Sequence, residues 1–336
     1  MSGKTFAIAT ALCLFVASPA KAQEGNQAAE AQDEKKPEEG SLFSLKRFSG
    51  SSVGLDYYFD AIDFNKNAEM SYNPTVAQLF NIDPRWRLAK SVALSLHAEI
   101  YTELTNSDDT SLKRQPLLSD ITVKGAYTLP KLPADIAGSA SLTLILPTSK
   151  ESIARERIFG IYPQVAFSRD FKIGSKVTMT PSVNLRATWY AASSRMLTYD
   201  APSITTCNTA LGNCGAFDHS GARSSQAGFR EGVGLDFSFP LNLSASASVM
   251  WMQSLLYPLD SAVDPTTGLP IPASDYNTDW RYVMAYSIGA EWKPISHLAV
   301  GAGVSTVNPE QAPDSTYYAP FFNRYTQLYL EVRGEL

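Results

Sequence analysis

After Gly50, apolar residues recur at every second position in segments of about ten residues. In 51–61, Val53, Leu55, Tyr57 and Phe59 oppose Asp56, Tyr58 and Asp60. In 92–104, Val92, Leu94, Leu96, Ala98 and Ile100 oppose Ser95, His97, Glu99, Tyr101 and Glu103. The last stretch, 321–336, repeats the pattern, with Leu328, Leu330, Val332 and Leu336 on one face and Tyr325, Gln327, Tyr329, Glu331, Arg333 and Glu335 on the other. A period of two predicts strands with one apolar and one polar face. By itself it fits any antiparallel sheet with one wetted side.

The connections narrow the choice. About twelve such segments can be counted, joined alternately by tight turns and long polar loops. Tight turns fall around Lys90, at 129–135, around Gly174, at 240–242 and at 294–297. Long loops rich in Asn, Asp, Ser, Thr and Gly fall at 62–74, 105–116, 148–158, 191–225, 258–279 and 307–320. This alternation predicts a single all-β, antiparallel transmembrane β-barrel with short periplasmic turns and long extracellular loops. Apolar-face aromatics cluster at strand ends: Trp86, Tyr127, Phe167, Phe239 and Trp292 near the turns, Phe80, Trp189, Tyr257, Trp280 and Tyr282 near the loops. Such belts sit at headgroup level, whereas a soluble β-sandwich calls for shorter strands and no loop asymmetry. Two features fit badly. Pro163 and Pro181 fall inside strands, which predicts a bulge or kink, and Glu231 falls on the lipid face among Phe229, Val233 and Leu235, which suggests a slipped register.

The N-terminus supplies a compartment. Lys4, the apolar run from Phe6 to Ala17 and Ala20-Lys21-Ala22 form a secretory signal over 1–22. Leu12 ahead of Cys13 argues against lipidation. Residues 23–49 are rich in Glu, Gln, Lys and Ala and predict a disordered acidic periplasmic tail, leaving 50–336 as the barrel. No later run of about 18 apolar residues marks a membrane helix. In an oxidising compartment Cys207 and Cys214 are expected to form a disulfide pinning the fourth outer loop, a constraint of about 3 kcal/mol.

With its apolar alternate residues running to the chain end, the C-terminal stretch FFNRYTQLYLEVRGEL resembles the terminal strand of bacterial outer-membrane β-barrels. It departs from that family in ending on Leu336 rather than an aromatic residue and in placing Gly334 within the apolar series. The resemblance implies a Gram-negative outer-membrane location, contact with outer-membrane lipid and lipopolysaccharide, and recognition by the barrel-assembly machinery through this strand. The segment LTLILPTS at 142–149, followed by a polar loop, is similar to outer-membrane transporters of aromatic-degradation clusters, which does not name a solute.

A barrel leaves its inner face as the functional surface. That face is expected to carry the acids Asp56, Glu99, Glu103, Asp120, Asp236, Glu291 and Glu331, with His97, and the bases Arg85, Arg87, Lys124, Arg186, Arg230, Arg281 and Arg333. They lie among small residues such as Ser244, Ser246, Ser248, Gly232, Gly301 and Gly303, which favour open space. The reading that follows is porin-like passive transport of small polar solutes through a narrow, mixed-charge lumen. The alternatives are a structural or surface-binding barrel with a closed lumen, and a lipid-acting hydrolase. For the last, Ser95, His97 and Glu99 share a face, but one directed into the lumen; His219 and Ser220 are adjacent and point to opposite faces when extended. A formal charge of −5 and the lack of a basic patch argue against nucleic acid. Three histidines without metal spacing, a loose set of loop aspartates (Asp260, Asp264, Asp275 and Asp279) and no glycine-rich phosphate loop leave no cofactor or metal expected.

Overall fold

A computed structural model of the protein describes residues 45–61, 75–105, 113–195, 223–258, 279–311 and 316–336. The expected signal segment, most of the tail, Cys207, Cys214, His219 and Ser220 lie outside these residues.

The alternating segments form twelve strands: β1 Ser52–Asp60, β2 Val76–Asp83 resumed as Arg85–Arg87, β3 Val92–Glu103, β4 Pro116–Leu118 resumed as Ile121–Thr128, β5 Ala137–Leu146, β6 Arg157–Ser168 resumed as Phe171–Ile173, β7 Val177–Ala192, β8 Ser225–Phe239, β9 Leu243–Leu256, β10 Trp280–Ile295, β11 Leu298–Pro309 and β12 Thr326–Glu335. Each pairs antiparallel with its sequence neighbours, and β12 pairs β1 from Ser52↔Glu335 to Asp60↔Gln327, closing the ring. Closure removes every edge whose unpaired backbone groups would otherwise face lipid. The seam is tied at its periplasmic end, where Gly50 N–H donates to Leu336 O (2.8 Å) and Leu336 N–H to Ser51 O (2.9 Å). A 3-10 turn, Leu45–Phe48, precedes β1, ahead of the boundary at residue 50 expected from composition. There Arg47 donates to Leu88 O and the Ser51 hydroxyl to Phe48 O.

The outer wall is apolar. Leu94, Leu142, Leu185, Val233, Ile288, Leu330 and Val332 are exposed on a closed ring, so they face lipid. Three polar side chains on that wall are covered. Thr306, Asn308 and Thr326 share the outward parity of Val304 and Leu328, yet all are buried. The segment ahead of β12 lies over them: Asn323 donates to Asn308 Oδ1 and Ala319 O, Thr306 and Thr326 share a hydroxyl hydrogen bond of 2.9 Å, and Phe321 packs edge-on against Tyr286.

Both prolines are accommodated without the expected bulge. The β6–β7 register is the same on either side of Pro163, and only the two pairs opposite Ala187 and Thr188 drop out. That is the loss expected when one N–H is missing from an antiparallel ladder. Pro181 turns its missing donor toward the interruption between the two parts of β6, where Arg169 N–H still donates to Pro181 O. Register shifts occur instead at Ala191/Ala192, Ser225/Ala227 and Trp292/Ile295. A further bulge at Ser119–Asp120 separates the two parts of β4, and Thr148 bridges it, its hydroxyl donating to Ser119 O and accepting from Ile121 N–H.

Glu231 also stands in unbroken register, paired with Leu185 and Trp251 on the lipid face. Its height explains this. Eight residues separate it from Phe239 in the lower aromatic belt. At about 3.3 Å per residue and a tilt of about 40° this is roughly 20 Å, near the upper edge of an apolar band about 25 Å tall. The carboxylate therefore sits at headgroup level beside Trp251, and no slip is needed.

Candidate functional site

The ladder fixes which residues meet inside the barrel. From Asp56 it runs through Glu331, Gly301, Glu291 and Ser244 to Ser238 near the periplasmic end of β8. In the other direction it climbs through Leu79 and Tyr101 to Leu117 near the outer rim. Strands tilted by about 40° shift a level circuit by roughly 1.2 residues per strand against this ladder, or about six over the five steps to β8. The level of Asp56 on β8 therefore falls near Gly232, next to Arg230, and Arg186 is the direct partner of Arg230 on β7. Acids on β12, β1 and β3 thus stand about half a circuit from arginines on β7 and β8, at mid-height.

The acidic side is partly filled. Tyr58, Ala77, Leu79 and Tyr329 form a buried cluster with Tyr101 against it, and the Tyr58 and Tyr329 rings lie 6.3 Å apart. Asp56, 2% exposed, accepts a hydrogen bond from Asn81 Nδ2 at 3.1 Å. Two of the three glycines expected to leave space, Gly232 and Gly303, prove to be seats for neighbouring side chains, as does Gly289, whereas a Cβ on Gly301 would make only ordinary contacts. A Cβ on Gly289 or Gly303 would strike the Tyr329 hydroxyl, and one on Gly232 would strike the Asn184 carboxamide. The period-two pattern assigns Tyr329 to the inner face but does not show that it leans across two strands.

Below this level lies an ion network. The Arg333 guanidinium donates to Glu331 (2.9 Å), Glu335 (3.0 Å) and Glu291, and Lys293 Nζ donates to Glu335 at 3.0 Å. On the neighbouring wall, His97 Nδ1 lies 2.6 Å from Asp83 and Nε2 lies 3.6 Å from Glu99. Both imidazole nitrogens thus face carboxylates rather than Ser95, and the Ser95-His97-Glu99 series does not form a nucleophile–base pair. Ser95 instead stands opposite Arg85 and Lys124.

At the outer mouth the third loop carries a short helix, α1 Lys150–Ala154, N-capped by Ser149, whose side chain accepts from Ser152 N–H. Asp120, only 4% exposed, holds this turn through Ser149 N–H (2.9 Å) and the Ser152 hydroxyl (2.5 Å). Arg157 donates to the same hydroxyl at 2.9 Å and lies over the Tyr190 ring. Asp120 therefore anchors the turn of the third loop, a role not visible from its place in the inner-face series.

The remaining expected lining residues have these surroundings. Glu103 is buried and accepts from the Thr105 hydroxyl, Asp236 is buried opposite Thr180, Arg87 pairs with Ala93, and Arg281 pairs with Ser254. Among the described residues, no group of three or more His, Cys, Asp or Glu side chains is arranged to hold a metal ion.

No protein-family model matches the chain, and no curated protein matches its sequence. Among solved structures, an outer membrane channel from Pseudomonas putida F1 is similar at 12% identity, with a TM-score of 0.50 over 90% of this chain and 100% of that one. KdgM porin is similar at 9% identity, TM-score 0.42, over 85% and 99%. The outer membrane phospholipase of Salmonella typhi is similar at 14% identity, TM-score 0.33, over 92% and 96%. Together with its closed ring and apolar exterior, the chain has the fold of the bacterial outer-membrane β-barrels and belongs in that membrane.

Proposed function

We propose that the barrel is a narrow channel for passive movement of small polar solutes. The observation that carries this reading is the exposure of charged groups at inner positions of a closed ring. The side chains of Asp83, His97 and Glu99 retain 38%, 26% and 20% exposure respectively. Inside a barrel that exposure is to lumenal water, whereas a lumen packed shut would bury them. Twelve strands enclose a ring of about 12 Å radius, between filled barrels of eight strands and open ones of sixteen. The Tyr58–Leu79–Tyr329 cluster takes one side of that space, so the passage is restricted to small solutes.

The test is swelling of liposomes carrying the refolded protein in iso-osmotic solutions of graded size. Swelling in glycine or arabinose, declining for disaccharides, is the expected result. Rates equal to those of protein-free liposomes for every solute would favour the closed-lumen reading.

A further inference from the structure

Arg186 and Arg230 are directly paired on β7 and β8 with both side chains inward. Like charges placed opposite one another destabilise a ladder unless something lies between them. Three other cations on the inner side are met by carboxylates: Arg333 by three, Lys293 by Glu335 and Glu291, and Arg157 by Asp120. These two are not. Arg186 spends Nε and Nη2 on the Gln164 side-chain oxygen, at 3.2 and 3.0 Å, and stacks on Tyr162 with its guanidinium carbon 4.1 Å from the ring centre. Its guanidinium is thereby oriented but not neutralised. Among the described residues Arg230 has no hydrogen bond, ion pair or ring contact.

The immediate surroundings of the pair are neutral. On the inner face of β8, Arg230 is flanked by Gly228, Gly232 and Gly234, so its own strand offers no side chain to crowd it. Asn184 lies over Gly232 and brings a neutral carboxamide beside the pair. The acids at this height stand about half a circuit away, beyond reach of either guanidinium. Two forked donors and an amide, without a local carboxylate, match the planar, bidentate geometry of a carboxylate group.

We propose that Arg186 and Arg230, with Asn184 beside them, form a binding site for the carboxylate of a small organic acid in transit through the lumen. The proposal rests on the channel reading. An anion there relieves the repulsion between the two arginines and follows the β7–β8 wall, away from the acidic wall of β12, β1 and β3.

The experiment records single channels of the refolded full chain in planar bilayers under a potassium chloride gradient, with succinate titrated into the bath. The wild-type protein is expected to give an anion-leaning reversal potential and a saturable block by succinate. In the Arg186→Gln/Arg230→Gln variant the steps persist, the reversal potential moves toward the cation side, and the blocking concentration rises at least tenfold. Heat-modifiable migration checks that the variant folds. If it does not, Arg230→Gln alone carries the same expectation. Steps with no succinate block, or block and selectivity unchanged in the variant, would overturn the site. Block by inorganic phosphate but not by succinate would overturn the carboxylate assignment. If no preparation gives steps, the channel reading itself fails, and saturation-transfer NMR of succinate with the refolded barrel in detergent then judges the site, absence of binding overturning it.

Discussion

Tyr329 on β12 reaches over Gly303 on β11 and Gly289 on β10, so that a methyl group at either glycine would meet its hydroxyl. One tyrosine therefore fills the space that two small residues create, and it sets the lumen width on that side together with Tyr58 and Leu79.

Tyr329→Ala is expected to widen the passage and raise unitary conductance in planar bilayers. It also lowers stability by about 3 kcal/mol or more, the usual cost of truncating a packed aromatic. Gly303→Ala pushes the ring off its seat into the lumen, so its conductance should fall. Equal conductance in both variants and the wild type would show that Tyr329 does not border the pathway.

Arg333 is held by three carboxylates, from Glu291, Glu331 and Glu335. Removing the hub of a buried charge network strands its partners, at about 3–5 kcal/mol. Arg333→Met should therefore lower the unfolding free energy of the refolded barrel, read from guanidinium titration, by that amount. Arg333→Lys should recover only part, because an ammonium cannot present a planar fork to three acceptors. Full recovery by lysine would mean that charge alone matters here.

Asp120 anchors α1 at the mouth through Ser149 and Ser152. Losing hydrogen bonds to a buried charged group costs about 1–3 kcal/mol. Asp120→Ala should make the loop open roughly 10- to 100-fold more often. Trypsin added outside intact cells should then cut at Lys150 or Arg155 faster by about that factor, while the barrel still migrates as folded. An unchanged cleavage rate would remove Asp120 from this role.

Height on the outer wall should govern the cost of charge. Glu231 lies at the upper edge of the apolar band, whereas Leu235 is four residues deeper, about 10 Å lower on a strand tilted by about 40°. Glu231→Arg is expected to change stability by about 0–1 kcal/mol and Leu235→Arg to cost about 2–4 kcal/mol, read from reversible unfolding in lipid vesicles. Equal costs would misplace the membrane boundary.

The sequence made the ring legible because a period of two is enforced separately in every strand, with lipid on one side and the lumen on the other. It also placed Asp56, Arg186, Arg230 and Glu331 on the inner face by parity alone. Parity carries no information about tilt, however, and tilt sets Arg230 level with Asp56. Nor does it show which small residues are open, since Gly232 and Gly303 are filled from adjacent strands. Pro163 and Glu231 look like errors along a single strand. The ladder tolerates one missing donor, and Glu231 is at headgroup height. The outward polar residues Thr306, Asn308 and Thr326 were equally opaque, because their cover comes from a segment folded back over the wall.

Whether water and ions cross this barrel at all is asked directly by single-channel recording of the refolded wild-type protein in planar bilayers. Discrete current steps of small, uniform size in potassium chloride are predicted, whereas traces indistinguishable from the bare bilayer at all voltages, from protein shown to be folded, would contradict the channel reading.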